Sequence, residues 1–174
     1  DVRKNLLKYD DVMNDQRKVI YEQRKELMSA DSVSEMIKDM RDDCIVNLVY
    51  AYAPAKTPSD SWDVGNLIVE SEKLLGINAP LTSWAGEPGI TSEDLIERLS
   101  KMADEAIEQK MALIPLETRH ELEKSMLIQT IDQNWKEHLQ MLDFMRMSIG
   151  LRAYGQKNQL KEYNQQSFKS FENI

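Results

Sequence analysis

Apolar residues recur every seven positions at Leu6, Met13, Ile20 and Leu27, with Val12 and Val19 flanking the stripe and Tyr9 and Tyr21 close to it. No Gly or Pro interrupts residues 3–29. The pattern predicts one amphipathic helix of about 40 Å at 1.5 Å per residue. Ser32 and Glu35 have the spacing of a capping box, which predicts a second helix over 33–53. Its apolar face is expected at Met36, Ile37, Met40, Cys44, Leu48 and Val49, and it stops before Pro54. Residues 54–62, with Pro54 and Pro58, read as a linker. Leu67, Ile68, Leu74 and Leu75 predict a short helix closed by Gly76. Turns follow around Pro80, Gly86, Pro88 and Gly89, with Trp84 expected inside. Thr91-Ser92-Glu93-Asp94 then caps a helix whose stripe is Leu95, Leu99, Met102, Ala106 and Met111.

Pro115 is suited to the first turn of another helix, where its missing N–H costs nothing. From Leu116 to Ile149 neither Gly nor Pro occurs, which predicts a helix of about 50 Å. Ile128, Trp135, Leu142 and Ile149 recur at seven, and Ile131, His138 and Met145 recur three residues behind. The two rows form a seam of the kind that faces another helix. Polar residues around Gly150 and Gly155 break the pattern, and Leu160, Tyr163, Ser167, Phe168 and Phe171 begin a returning helix. The expected architecture is all-α: a long helix packed with a two-helix hairpin (116–149 and 160–174 about a tip at 150–158), plus a small helical inserted subdomain. Long helices are marginal alone in water, so the seam Leu6, Met13, Ile20 and Leu27 is expected against Ile128, Trp135 and Leu142. The corresponding divisions are 1–54, 55–114 and 115–174.

Charge supports the division. The net charge is −8, and residues 54–114 carry five cations against eleven acids while the flanking segments 1–30 and 115–174 are near balance. An acidic chain is a poor nucleic-acid binder, so none is expected as a partner. Hydrophobic residues at 41% and charged residues at 30% fit a water-soluble helical protein. No apolar run approaches the roughly 20 residues of a membrane span. A single cysteine, Cys44, excludes an internal disulfide, and its apolar neighbours Ile45 and Val46 suggest a buried thiol. Asp1 is no initiator Met and Ile174 ends within a helical pattern, so the chain reads as a piece of a longer one.

Tests for chemistry return little. Gly150 to Asn158 is a near miss to a phosphate loop: Gln156 is inserted before Lys157, Ser/Thr is lacking, and a helix precedes it where a strand is needed. Glu117-x-x-His120 supplies one half of a di-iron carboxylate pattern, but His138 has Trp135, not Glu, three positions before it. Cys44 and two histidines carry no nucleophile signature. His138 is expected as a hydrogen-bonded seam residue and His120 as an exposed one. No catalytic, cofactor or metal residue is assigned. The unusual stretch is 144–157, where Phe144, Met145, Met147, Ile149, Leu151 and Tyr154 mix with Arg146, Arg152 and Lys157. Turn tips ordinarily carry small polar residues. An apolar, cationic tip reads either as a partner contact or as Tyr154 folded back to cap the hairpin.

Three segments in register resemble one family. Leu7-Lys8-Tyr9-Asp10-Asp11-Val12-Met13-Asn14-Asp15-Gln16-Arg17, continuing to Ile20-Tyr21 and Arg24, is similar to the start of the long scaffold helix of the SecA preprotein translocases. Leu127 to Ile131-Asp132, then Trp135-Lys136-Glu137-His138-Leu139, resembles the first helix of that family's two-helix finger. Ile149 to Tyr154-Gly155-Gln156-Lys157 resembles the fingertip, and Glu162-Tyr163 with Ser167-Phe168 the second finger helix. Residues 55–114 match by position, as the wing. The tip departs from the family in Ala153-Tyr154-Gly155, which there often has Gly before and Ala after the Tyr, and in Gln159 for Pro.

The resemblance implies a scaffold, wing and finger without activity of their own, belonging to an ATPase that drives unfolded secretory preproteins through the SecYEG channel. ATP and Mg would bind motor domains that this chain lacks. It implies the channel, the preprotein and those motor domains as partners, with an anionic membrane surface as a further one. It also implies a cytoplasmic and peripheral inner-membrane location, and a role in restraining ATP hydrolysis. The expected contact residues are Arg146, Ile149, Leu151, Arg152, Tyr154, Gln156 and Lys157. A free-standing coiled-coil adaptor and a di-iron bundle are the competing readings.

Overall fold

The computed structural model describes the backbone at residues 2–151 and 159–171, and side chains at 7–148, 163, 165–169 and 171. Among the described residues the regular structure is entirely helical. The helices are α1 (Val2–Ser29), α2 (Ser34–Tyr52), α3 (Val64–Leu75), α4 (Leu81–Ala85), α5 (Ser92–Met111), α6 (Leu116–Leu151) and α7 (Gln159–Phe171), with a 3-10 turn at Ser59–Ser61. They form two compact units, one of residues 1–33 with 121–174 and one of 34–120.

The unit of 34–120 is built on α2, α3, α4 and α5. Its core joins Ile45, Val49 and Ala53 of α2 and the residue after it to Leu67 of α3, Leu81 of α4, and Leu95, Leu99 and Ala103 of α5. On α2 and α5 these side chains repeat at four, as one buried helix face allows. Helix ends are fixed by local chemistry. Asp63 caps α3 by accepting from the Asn66 N–H, and Gly76 ends it in the left-handed conformation at φ 63°. Thr91 and Asp94 complete a reciprocal capping box on α5. Ser92 Oγ donates to the Ala53 carbonyl at 2.8 Å, tying the start of α5 to the end of α2.

Two expectations change here. Val49 is buried on α2 as expected, but Ile45 shares that face while Met36, Met40 and Cys44 are exposed. Both faces satisfy helical spacing. The partner decides between them: Asp104 of α5 pairs with Arg41 and lies 3.9 Å from Lys38, while Ile45 and Val49 pack on Leu95 and Leu99 of the same helix. Cys44 lies about 100° around the helix from Ile45 and so faces out. Trp62, assigned to a linker, is buried in this core and donates its ring N–H to Thr57 Oγ1 at 2.9 Å. Within this unit α2 packs on α3 and α5. Trp84 is half-buried against the core, with the Arg98 guanidinium 5.5 Å from its ring centre. Arg98 also grips Glu87 through both nitrogens at 2.9 and 2.7 Å.

The other unit consists of α1, the part of α6 from Glu121 onward, and α7. Partners along α1 and α6 run in opposite directions: Asp10 meets Arg146, Gln16 meets His138 and Arg24 meets Asp132. The two helices are therefore antiparallel. Tyr163 of α7 packs with Leu142, and Phe171 with Trp135, so α7 runs antiparallel to α6.

Leu99 is fully buried on α5, whereas Leu74 on α3 is half exposed. Leu99→Ala is expected to lower stability by about 2–5 kcal/mol through lost contacts and a residual cavity. Leu74→Ala is expected to change it by under about 0.5 kcal/mol. Urea unfolding followed by circular dichroism checks both, and equal effects would show that the core is elsewhere.

Candidate functional site

The described residues that approach the expected fingertip lie at the base of the α6–α7 hairpin, where three helices share a layered junction. Nearest the tip, Arg146 Nη1 lies 3.6 Å from Asp10 Oδ1, and its guanidinium sits 5.5 Å from the centre of the Tyr9 ring. Tyr9 meets Tyr163 edge to face at 4.7 Å and 87°. Leu142, Val12, Met13 and Met145 complete this apolar layer. The Tyr163 ring is wholly buried, and its hydroxyl has no hydrogen-bond partner among the described residues. Burial raises its pKa, which the nearby Arg146 charge partly opposes.

One turn or more further from the tip the junction becomes polar. His138 is 3% exposed and its Nε2 lies 2.7 Å from Gln16 Oε1. The other end of the same amide, Gln16 Nε2, donates to the Ser167 carbonyl at 3.4 Å. Since the amide nitrogen faces the carbonyl, its oxygen is the acceptor, and His138 carries its proton on Nε2. Trp135 and Phe171 close the layer, their rings 5.6 Å from the imidazole in each case. Desolvation lowers the His138 pKa, keeping the ring neutral. At the far end, Arg24 and Asp132 pair at 3.3 Å with both side chains about half exposed.

The expected residues fall as follows. Ile20, Leu27 and Leu142 are buried, Met13, Ile128 and Trp135 are half-buried, and the Leu6 side chain lies outside the described residues. Of the contact residues only Arg146 has a described side chain, and it is engaged with Asp10 and Tyr9. Ile149 and Leu151 continue the backbone of α6, while Arg152, Tyr154, Gln156 and Lys157 lie outside the described residues. Phe144 and Met147 stand exposed on the last described turns of α6. His120 is half-buried, not exposed.

Gln16 was not singled out by the pattern, yet a signal existed. It lies three residues after Met13 and four before Ile20, on the inner row of the α1 stripe, where a polar residue is anomalous. Among the described residues no three His, Cys, Asp or Glu side chains group as a metal site, and no helix is long and apolar enough to cross a membrane.

Comparison with known proteins covers the whole junction. Residues 1–174 match the SecA Wing and Scaffold domain family. The chain is 45% identical over 174 residues to the protein translocase subunit SecA of Caulobacter vibrioides, covering 100% of this chain and 19% of that protein. It is 46% identical over 174 residues to the SecA of Afipia carboxidovorans, covering 18% of it, and 46% identical over 172 residues to SecA 1 of Rhodopseudomonas palustris. The chain thus spans about a fifth of the length of the curated relatives it matches.

The neutral buried imidazole sets a pH dependence. Below 6.5, its ordinary value, the unfolded chain takes up a proton that folded His138 resists. Stability is therefore expected to fall as pH drops through 6.5 and to level off below the folded value. In His138→Gln this part of the slope disappears. Denaturation midpoints between pH 7.5 and 5.5 check it, and identical slopes in the two proteins would refute it.

Proposed function

Because the chain belongs to the SecA wing and scaffold family, we propose that it forms the wing, scaffold and two-helix finger of a preprotein translocase, with the finger meeting the moving polypeptide and the channel. On this reading α1 is the scaffold helix, α6 and α7 are the finger, and the unit of 34–120 contains the wing. ATP and Mg act in motor domains outside this chain, which itself takes part in no bond-making step. The partners are the SecYEG channel, an unfolded secretory preprotein and the chain's own motor domains, at the cytoplasmic face of the inner membrane. The scaffold also restrains ATP hydrolysis until those partners engage.

The carrying observation is that α6 is held to α1 at three successive levels, by Asp10–Arg146, Gln16–His138 and Arg24–Asp132. A helix of 36 residues is about 54 Å long. Anchored along its shaft, it delivers its far end to a defined place, which a loop of equal length cannot do. The residues at and beyond that end suit a partner of changing sequence: Phe144 and Met147 are apolar and adaptable, and Arg152, Tyr154 and Lys157 add cationic and amphipathic side chains.

A photo-cross-linking side chain placed at 154 in the full-length protein is expected to capture translocating polypeptide or channel in the presence of ATP. The same group at exposed Leu74 is expected to capture several-fold less polypeptide. Equal capture at the two positions, or none at 154, sinks the assignment of the tip.

A further inference from the structure

Apart from the edge-to-face ring pair Tyr9–Tyr163, the apolar seam between α1 and the hairpin is tolerant of sliding. Met13, Met145, Val12 and Leu142 are apolar side chains of comparable size, and Met adapts readily to a shifted neighbour. The flanking ion pairs are also forgiving. Arg24–Asp132 and Asp10–Arg146 are partly solvated, and long charged side chains can follow a moving partner at little cost. One position differs. Gln16 is 8% exposed, and its amide touches α6 at one end and α7 at the other.

We infer that Gln16 is a positioning residue that sets the axial register of the α6–α7 hairpin on α1, and so the height from which everything beyond Leu151 projects. A slide of one helical turn is about 5.4 Å. On α6 it takes His138 away and brings up Leu142 in one direction, which has no polar atom, or Trp135 in the other, whose ring N–H is a donor but whose indole is far bulkier than the imidazole it replaces. On α7 the same slide exchanges the Ser167 carbonyl for another backbone carbonyl, but puts Tyr163 or Phe171 where the small Ser167 side chain lets the amide reach the backbone. Gln16 thus recognises one register and penalises its neighbours, as a single buried polar residue does in a helical seam. The tautomer matters too. Nε2 must carry the proton to meet Oε1 while the amide nitrogen serves Ser167, so the three groups fix one another's orientation.

The register itself stands on this geometry, whereas its consequence for polypeptide contact rests on the function proposed above. The test uses the full-length protein with spin labels at exposed Met28 on α1 and Gln165 on α7, two sites offset along the helix axis so that an axial slide changes their separation, in a background without other cysteines. Pulsed dipolar spectroscopy is expected to give one distance for the wild type. Gln16→Leu keeps the volume and removes both hydrogen bonds, and is expected to add a second distance shifted by about 5 Å with a modest loss of thermal stability, because His138 loses its Gln16 acceptor. Should Gln16→Leu not fold, Gln16→Asn retains the amide but shortens its reach, and the same second distance is expected. A single wild-type distance in either folded variant overturns the inference. In parallel, capture of polypeptide from position 154 is expected to drop several-fold in the slipped variant. Absence of capture already in the wild type counts against the functional reading alone and leaves the distance result standing.

Discussion

The side-chain amide of Gln16 accepts from one helix and donates to another, and the arrangement of α1, α6 and α7 turns on that division. Burial makes the contact decisive. In water each end of the amide could be satisfied from any side, so it would express no preference. In a seam closed by Trp135, Phe171 and the neighbouring apolar layer, an unmet donor or acceptor costs about 1–3 kcal/mol. The apolar layers supply the attraction that brings the helices together. They are non-directional, and they do not by themselves choose among positions along the helix axis.

The same logic separates the two units. In the unit of 34–120 the register is set at chain ends and turns: the Thr91–Asp94 capping box, the Asp63 cap, the left-handed Gly76 and the Ser92–Ala53 bond. Short helices with close connections leave few ways to slide. The unit of α1, α6 and α7 is built on helices of 28 and 36 residues. Its helices run without Gly or Pro through the described seam, and it therefore relies on a polar contact inside the seam. Ion pairs follow the division as well. Arg98 with Glu87 and Trp84, and Arg41 with Asp104, brace a unit already specified by its turns.

Helix existence and most helix ends were legible in the sequence, because they depend on neighbours along the chain. The Gly- and Pro-free runs became α1 and α6, and Thr91 and Gly76 end their helices as their chemistry dictates. The choice of buried face was less legible. Met36, Met40 and Cys44 satisfy the helical period as well as Ile45 and Val49 do, and only the partner helix α5 distinguishes them. Trp62 was hidden by its setting among Pro58, Ser59 and Ser61, residues that usually mark exposed chain but here deliver a ring to the core. Gln16 was overlooked because reading for apolar stripes passes over the polar member of a stripe. Its partner in the hairpin could be named only once α7 was placed beside α1.

An axial error at the base of a helix is carried to its end undiminished, since a helix resists compression far better than it resists bending or sliding. A slip of one turn at Gln16 moves the chain beyond α6 by the same 5.4 Å or so, comparable to the width of an extended polypeptide and its neighbour in a sheet. On the function proposed above, that is the difference between contact and no contact. Tightening the seam with more apolar area would strengthen association in every register alike. Only a directional contact, buried where water cannot substitute for it, separates one register from the next. The placement of His138 on α6, between three and four turns before its last described residue, puts that contact on the shaft of the hairpin, with Phe144 and Met147 exposed beyond it.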